Sequence, residues 1–207
     1  MIPLLLDLSD QRVLIVGGGE VAARKAAYFA PEAEVTVVSR SFHPSMPGGV
    51  RRVESDLSEL SDPALRLLCE GAFLVIAATS DTALNDRIVR AAAAAGAHSN
   101  SASGTPGDVQ LPAVSRGDRY VIAVSTGGES PGVARFLREA IEARFPALDR
   151  MIELQGRLRS ELRARCGDQR ERSAVLRRVL EDGEVWDALG RGDGQAWRLV
   201  EARYLHA

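Results

Sequence analysis

The chain has 207 residues, 45% hydrophobic and 26% charged, an ordinary globular balance, and its net charge of -2 excludes an electrostatic nucleic-acid footprint. Two cysteines, Cys69 and Cys166, stand far apart without a CxxC, which indicates neither a disulfide framework nor a zinc site and suits a reducing cytoplasm. No apolar run reaches the ~18–20 residues of a membrane helix, and Met1 to Leu6 is too short for a signal h-region and meets Asp7 at once.

Arg12 to Val16 is a short apolar run with polar borders and reads as a buried parallel strand. Gly17-Gly18-Gly19 breaks it. Glu20 to Phe29 then carries Val21, Ala22, Ala26 and Phe29 at helical spacing. Strand, glycine turn and helix in that order is the context that a dinucleotide-binding turn requires. Gly17 makes the tight turn, Gly19 lets the backbone approach a pyrophosphate, and Ala22 lets helix and strand pack closely. The helix N-terminus adds free N–H groups and a partial positive charge. By itself GxGxxA also fits a plain tight connection; the βαβ pattern that follows favours the cofactor. Of the 26 basic residues, 25 are arginine, and the single lysine, Lys25, falls just after this turn.

Glu34 to Ser39 is a second strand. An NAD site commonly ends this strand in Asp or Glu, to bind the ribose hydroxyls. Here Ser39-Arg40-Ser41 stands instead, and Arg40 either pairs with a 2′-phosphate, as NADP would need, or covers the adenine. Phe42 to Gly49 is a loop, Val50 to Val53 a short strand and Pro63 to Glu70 a helix. Phe73 to Ala78 is the most apolar run and is expected at the sheet centre. Thr79 to Thr82 supplies N-cap residues for a helix over Ala83–Ala95. Ligands collect at the carboxyl ends of parallel strands, so Thr79 and Ser80 face the cofactor, cap the helix, or do both. Ala97 to Asn100 is the next strand end, with His98 isolated. The loop from Ser101 to Gln110 lies beside the expected nicotinamide position.

Leu111–Val114 and Tyr120–Ser125 flank the turn signal Arg116-Gly-Asp-Arg119 and read as an antiparallel hairpin. Ser130 then caps a helix with Pro131 at its first position, running to about Phe145 with Val133, Phe136, Leu137 and Ile141 on one face. Hairpin plus helix is too small to bury its own surface, so a second subunit is expected there. From Ala147 onward only amphipathic helical segments follow, with arginines and acids nearly balanced.

The fold expected is therefore α/β: a Rossmann-type parallel sheet domain at 1–112, a dimerisation hairpin plus helix at 113–145, and a small helical domain at 146–207. With these pieces in order, the chain resembles the precorrin-2 dehydrogenase / sirohydrochlorin ferrochelatase family of sirohaem synthesis. The residues that carry the resemblance are Pro3-Leu4, Val16 to Lys25, Ala77 to Asp81, Asn85, Asn100, Pro112 and Ala123 to Pro131. The methyltransferase domain fused onto some members is not expected here.

The resemblance implies NAD as cofactor, which outweighs the NADP hint from Arg40, and the tetrapyrrole precorrin-2 as substrate, with Fe2+ insertion as a second reaction in many members. By position it implies that Gly17, Gly19, Glu20 and Val21 contact the cofactor, with Arg40 and Ser41 at its adenosine end and Thr79 and Ser80 nearer the nicotinamide. Both reactions release protons and need a base. The family usually carries Asp three residues after the equivalent of Asn100; here that residue is Ser103, and a serine at its normal pKa cannot replace a carboxylate. Asp108, later in the same loop, is the alternative. Asn100, Thr126, Arg135 and Arg138 are candidates to meet the substrate and its carboxylates, although the arginines also fit an ordinary exposed face and Thr126 also fits a turn. No His, Cys and carboxylate cluster marks a held metal. A cytoplasmic homodimer without nucleic-acid or membrane partners is the expectation. Two other readings stand beside this one: a relative that binds tetrapyrrole with reduced catalysis, and an NAD-sensing regulatory module.

Overall fold

The computed structural model describes residues 2–205. In chain order the elements are β1 (Arg12–Val16), α1 (Glu20–Phe29), β2 (Glu34–Ser39), β3 (Arg51–Glu54), α2 (Asp62–Cys69), β4 (Leu74–Ala77), α3 (Thr82–Ala94), β5 (His98–Ser101), β6 (Ala113–Arg116), β7 (Val121–Val124), α4 (Pro131–Arg144), α5 (Leu148–Arg165), α6 (Gln169–Glu181), α7 (Gly183–Arg191) and α8 (Asp193–Val200). A π-helical turn, Glu201–Leu205, follows α8. The chain divides into two compact units, Met1–Leu111 and Pro112–Ala207.

In the first unit, β1 to β5 form one parallel sheet in the order β3-β2-β1-β4-β5. Strand side chains alternate between faces, and the two layers of core follow that alternation. Val13, Ile15, Val37 and Ile76 point to one face and pack with Ala22, Ala23, Ala26 and Phe29 of α1. Leu14, Val16, Val75 and Ala77 point to the other and pack with Leu65 of α2 and Leu84, Ile88 and Ala92 of α3. Strands covered on both sides must be apolar throughout, which explains why β1 and β4 read as continuous hydrophobic runs. The strand order reverses between β1 and β4. Their carboxyl ends therefore open a crevice, the place where such sheets bind ligands.

In the second unit, β6 and β7 form an antiparallel hairpin. It begins two residues later than its sequence pattern suggests. Pro112 lacks the N–H that a paired strand position needs, and pairing starts with Ala113 opposite Val124. The turn is fastened by α5, where the Asp149 carboxylate accepts hydrogen bonds from the amides of Asp118 (3.2 Å) and Arg119 (2.8 Å). Further on, α5 to α8 bury Met151, Leu154, Leu158, Val179, Val185, Leu189 and Trp197 in a core of their own. The face of α4 behaves differently. Only Ala134 is buried, while Val133, Phe136 and Leu137 are exposed, Phe136 to 67%.

Candidate functional site

The glycine turn sits at the carboxyl end of β1, and each glycine meets a different constraint. Gly17 has φ +118°, and a Cβ there would lie 2.3 Å from the Ala78 carbonyl oxygen, so the turn passes against the end of β4 with no room for a side chain. A Cβ on Gly18 would lie 1.8 Å from the Ser41 carbonyl oxygen. Gly19 faces open space, with nothing within 4 Å of a notional Cβ.

Gly19 is also the N-cap of α1, and no side chain caps that helix. By contrast, α2 is capped by Ser61 and α3 by Asp81, whose carboxylate accepts from the Leu84 amide at 3.1 Å. The first N–H groups of α1 thus have no side-chain cap, beside a glycine whose Cβ position is open, with the positive end of the helix dipole behind them. That arrangement fits a pyrophosphate. Ala22, fully buried, gives the close packing of α1 on the sheet. The residues present fit a dinucleotide.

The flanking candidates take distinct places. Glu20 and Val21 form the exposed first turn of α1. Ser41 passes beside Gly18 through its backbone. Arg40 is 76% exposed and lies 3.6 Å from the Asp56 carboxylate, an ion pair worth little in water. Ser80 is exposed after β4. Thr79 is engaged with Asn85, which is fully buried on α3. Asn85 Oδ1 accepts from the Thr79 amide (3.1 Å) and hydroxyl (2.7 Å), while Asn85 Nδ2 donates to the Thr79 carbonyl (3.1 Å) and to Ser103 Oγ (2.8 Å). One buried amide thus ties the end of β4 to the loop after β5. Helix capping itself falls to Asp81.

The loop after β5 divides the two base candidates. Ser103 lies on the α3 side, where its hydroxyl accepts from Asn85. Next to it, the amide of Thr105 donates to the Asp86 carboxylate at 2.6 Å, and this bond holds the Asp86 carboxyl below the usual carboxylate range. Asp108 lies elsewhere. The chain doubles back along β5, and the Asp108 carboxylate accepts from the Ser99 amide (2.6 Å) and sits 2.6 Å from His98 Nδ1. Partial burial pushes its carboxyl up, but the hydrogen bonds from His98 and Ser99 outweigh this and hold it below the usual value. His98 and Ser99 open β5, and Ser101 closes it. In this conformation Asp108 is bound at the amino end of the strand, away from Ser103 and the carboxyl edge, so a role as base would require it to leave these partners. His98 is likewise not isolated but paired.

Asn100 is nearly buried on the α1 face of β5, opposite Ile76. Its Oδ1 accepts a hydrogen bond from Lys25 Nζ, and its Nδ2 donates to the Val109 carbonyl at 2.8 Å. Burial lowers the pKa of the Lys25 amine, and the neighbouring Arg24 lowers it further. Gly18, Lys25 and Asn85 are the site residues that sequence reasoning left unassigned. The signals were present: the middle of three glycines, the lone lysine among arginines, and an asparagine inside an apolar helical face.

The second-unit candidates are occupied locally. Thr126 Oγ1 donates to the Ser130 carbonyl and accepts from the Ser130 amide, both at 3.0 Å. Arg135 pairs with Glu139 at 2.8 Å, and Arg138 with Glu139 at 2.9 Å and Glu142 at 2.8 Å. Arg135–Glu139 and Arg138–Glu142 are helix-surface pairs one turn apart, and Arg138 also reaches its chain neighbour Glu139. A carboxylate ligand would have to compete with these acidic partners for either arginine. Among the described residues, no group of three or more His, Cys, Asp or Glu side chains is placed to hold a metal.

A parallel sheet with a glycine turn and an uncapped helix at its switch point defines a protein of the dinucleotide-binding, NAD(P) class. Comparison with known proteins agrees: residues 4–113 match a family model described as "Putative NAD(P)-binding". The chain is 41% identical over 192 residues to the precorrin-2 dehydrogenase of Methanosarcina barkeri, covering 90% of this chain and 85% of that protein. It belongs to the precorrin-2 dehydrogenase family. It is also 33% identical over 196 residues to siroheme synthase 1 of Aeromonas salmonicida, of which it spans 41%. A solved structure titled "SirC, precorrin-2 dehydrogenase" superposes with a TM-score of 0.70 at 22% identity, over 98% of this chain and all of that one, and confirms the fold.

Proposed function

We propose that this chain oxidises precorrin-2 to sirohydrochlorin with NAD as the acceptor, in sirohaem synthesis. The observation that carries the proposal is the open cradle at Gly19 before the uncapped N-terminus of α1, in a chain so similar to a precorrin-2 dehydrogenase along nearly its whole length. The bound nicotinamide supplies hydride acceptance. The protein's own part is to place the substrate against it. Backbone N–H groups of α1 fix the pyrophosphate, the strand end at Thr79 and the loop at Ser103 border the crevice, and the apolar sheet floor beneath keeps water away. Dehydrogenation removes a hydride and a proton together. The Ser103 hydroxyl, at its ordinary acidity, does not hold that proton, which passes to water at the exposed loop.

Purified protein incubated with precorrin-2 and NAD is expected to yield sirohydrochlorin and NADH in equal amounts, followed by absorbance. Absence of both products overturns the proposal. Metal insertion is a separate reaction, tested by adding Fe2+ or Co2+ to sirohydrochlorin. With serine at 103 and Asp108 bound at the far end of β5, the expected rate is that of the protein-free control.

The exposed Val133, Phe136 and Leu137 of α4, with Val121 of β7 also exposed, support a homodimer that covers them. Among the described residues no helix is long and apolar enough to cross a membrane, and both cysteines are free, which supports a cytoplasmic place.

A further inference from the structure

We propose that Lys25 is a positioning residue that fixes the loop after β5 to the cofactor helix, through Asn100 and the Val109 carbonyl. The proposal rests on the reading of that loop as the wall of the substrate crevice. Its support begins with the chain's composition. Arginine fills every other basic position in the protein, yet lysine stands here. The two side chains differ in ways that matter at this position. Lysine ends in a compact ammonium on a slim stem, whereas arginine ends in a broad planar fork.

The surroundings call for the slim one. Lys25 lies on α1 between the buried Ala22, Ala23 and Ala26, and its amine is partly withdrawn from water. It crosses to β5 and donates to Asn100 Oδ1. This bond decides the orientation of the Asn100 amide. With the carbonyl oxygen held by an ammonium, the NH2 group must face the other way, and there it donates to the Val109 carbonyl at 2.8 Å. A flipped amide would bring two donors together at Lys25 and two acceptors together at Val109. The Val109 amide in turn donates to the Ser99 carbonyl at 2.9 Å, so the return limb of the loop is laid along β5.

The near limb is held independently from the other face of the sheet, by Asn85 on Ser103 and by Asp86 on Thr105. Lys25 therefore links one limb of the loop to the helix whose first turn receives the dinucleotide. A change at Lys25 should loosen that limb and leave both the other limb and the α1 N-terminus as they were.

The test uses the full chain and two substitutions. Lys25→Met keeps the stem and removes the donor. Asn100→Asp keeps the acceptor for Lys25 and removes the donor to Val109. Amide hydrogen exchange is read at Val109, with Ala102 and Thr105, whose amides bond to Ala77 and Asp86, as internal controls. In each variant the Val109 amide is expected to exchange about tenfold faster or more, with the two controls within about twofold. The NAD dissociation constant should also stay within about twofold, because the α1 N-terminus is untouched, while kcat/KM for the tetrapyrrole falls about tenfold or more. The double variant should lose little more than either single one, because both cut the same chain of bonds.

An unchanged Val109 exchange rate in Lys25→Met overturns the proposal, as do losses in the two variants that multiply. If the unsubstituted protein binds NAD but does not oxidise precorrin-2, the functional reading fails, and the exchange data still decide whether Lys25 holds the loop. If Lys25→Met does not fold, all three amides lose protection together, and Asn100→Asp carries the decision.

Discussion

Gly17 and Gly19 lie two residues apart in one turn, yet their replacement by alanine should fail in opposite ways. At Gly17, alanine must adopt φ +118° and place its Cβ 2.3 Å from a backbone oxygen that belongs to the sheet. The left-handed backbone costs about 1–2 kcal/mol. Overpacking against an atom that cannot yield costs about 1–3 kcal/mol more. The sum, about 2–5 kcal/mol, is a large share of the roughly 5–15 kcal/mol that holds a domain folded. At Gly19 the backbone (φ -74°, ψ -173°) suits alanine, and the methyl meets nothing within 4 Å. Lower entropy of the unfolded chain and the poorer N-cap offset each other, so stability should change by less than about 1 kcal/mol. The open space is where the pyrophosphate approaches, however, and the methyl pushes it off the α1 amides. Losing one charge-assisted hydrogen bond, about 1.5–3 kcal/mol, weakens NAD by about ten- to a hundredfold. Thermal melting and NAD titration by calorimetry read the two effects separately. A stable Gly19→Ala protein with unchanged NAD affinity would refute the cradle, and a Gly17→Ala protein that melts like the parent would refute the steric argument.

Asn85→Ala should destabilise the first unit by about 2–4 kcal/mol, since the partners of a fully buried amide lose their hydrogen bonds; melting temperature measures this. Asp108→Asn keeps an acceptor for the Ser99 amide and is expected to retain kcat within about threefold, because the carboxyl stands at the wrong end of β5 to serve as base; a hundredfold loss would reinstate it. Phe136→Asp on the exposed face of α4 should turn the proposed dimer into a monomer in sedimentation, with no loss of fold. The Asp86 and Asp108 carboxyls are both held below the ordinary value of 3.8, so their contribution to the loop is fully present above that pH. It is lost only as pH falls through the depressed values, so the protection of the Thr105 and Ser99 amides, measured as exchange relative to the intrinsic rate at each pH, should fall in that acid range.

The parts of the fold that were legible in the sequence are those governed by local periodicity. Arg12–Val16, Glu20–Phe29 and Glu34–Ser39 lie where the apolar pattern puts them, because strands buried on both faces and a helix buried on one leave different repeats. β5 is harder: His-Ser-Asn-Ser is polar, and its place in the sheet comes from pairing with β4 rather than from its own side chains. The site shows the same division. The glycine turn declared itself because its constraint is local. The partner of Lys25 is 75 residues away and that of Ser103 is 18 away, and no spacing rule encodes such meetings. The partners of Asp108, His98 and Ser99, were hidden for the same reason. Its loop has the composition of a flexible segment, yet a notional Cβ on Gly107 would lie 1.9 Å from the Ser99 carbonyl oxygen, which shows the chain folded back tightly on β5.

That fold-back bears on how the site works. A loop bordering a crevice can order upon ligand binding or be held in place beforehand, and the difference appears in affinity, because ordering a segment on binding costs conformational entropy. Here the near limb is held by Asn85 and Asp86 on one face of the sheet, and the return limb by Asn100 of β5 and by the loop's own Asp108, which bonds back to Ser99 of β5. Three side chains from neighbouring elements and one of the loop's own thus fix it before any ligand arrives. A site built this way contributes position rather than proton chemistry, in keeping with a serine and not a carboxylate at position 103. If so, Ser103→Asp should add a proton acceptor to a wall already in place. It should raise metal insertion above the protein-free control while leaving dehydrogenation little changed, and the gain should vanish when Asn85→Ala releases the residue from its partner.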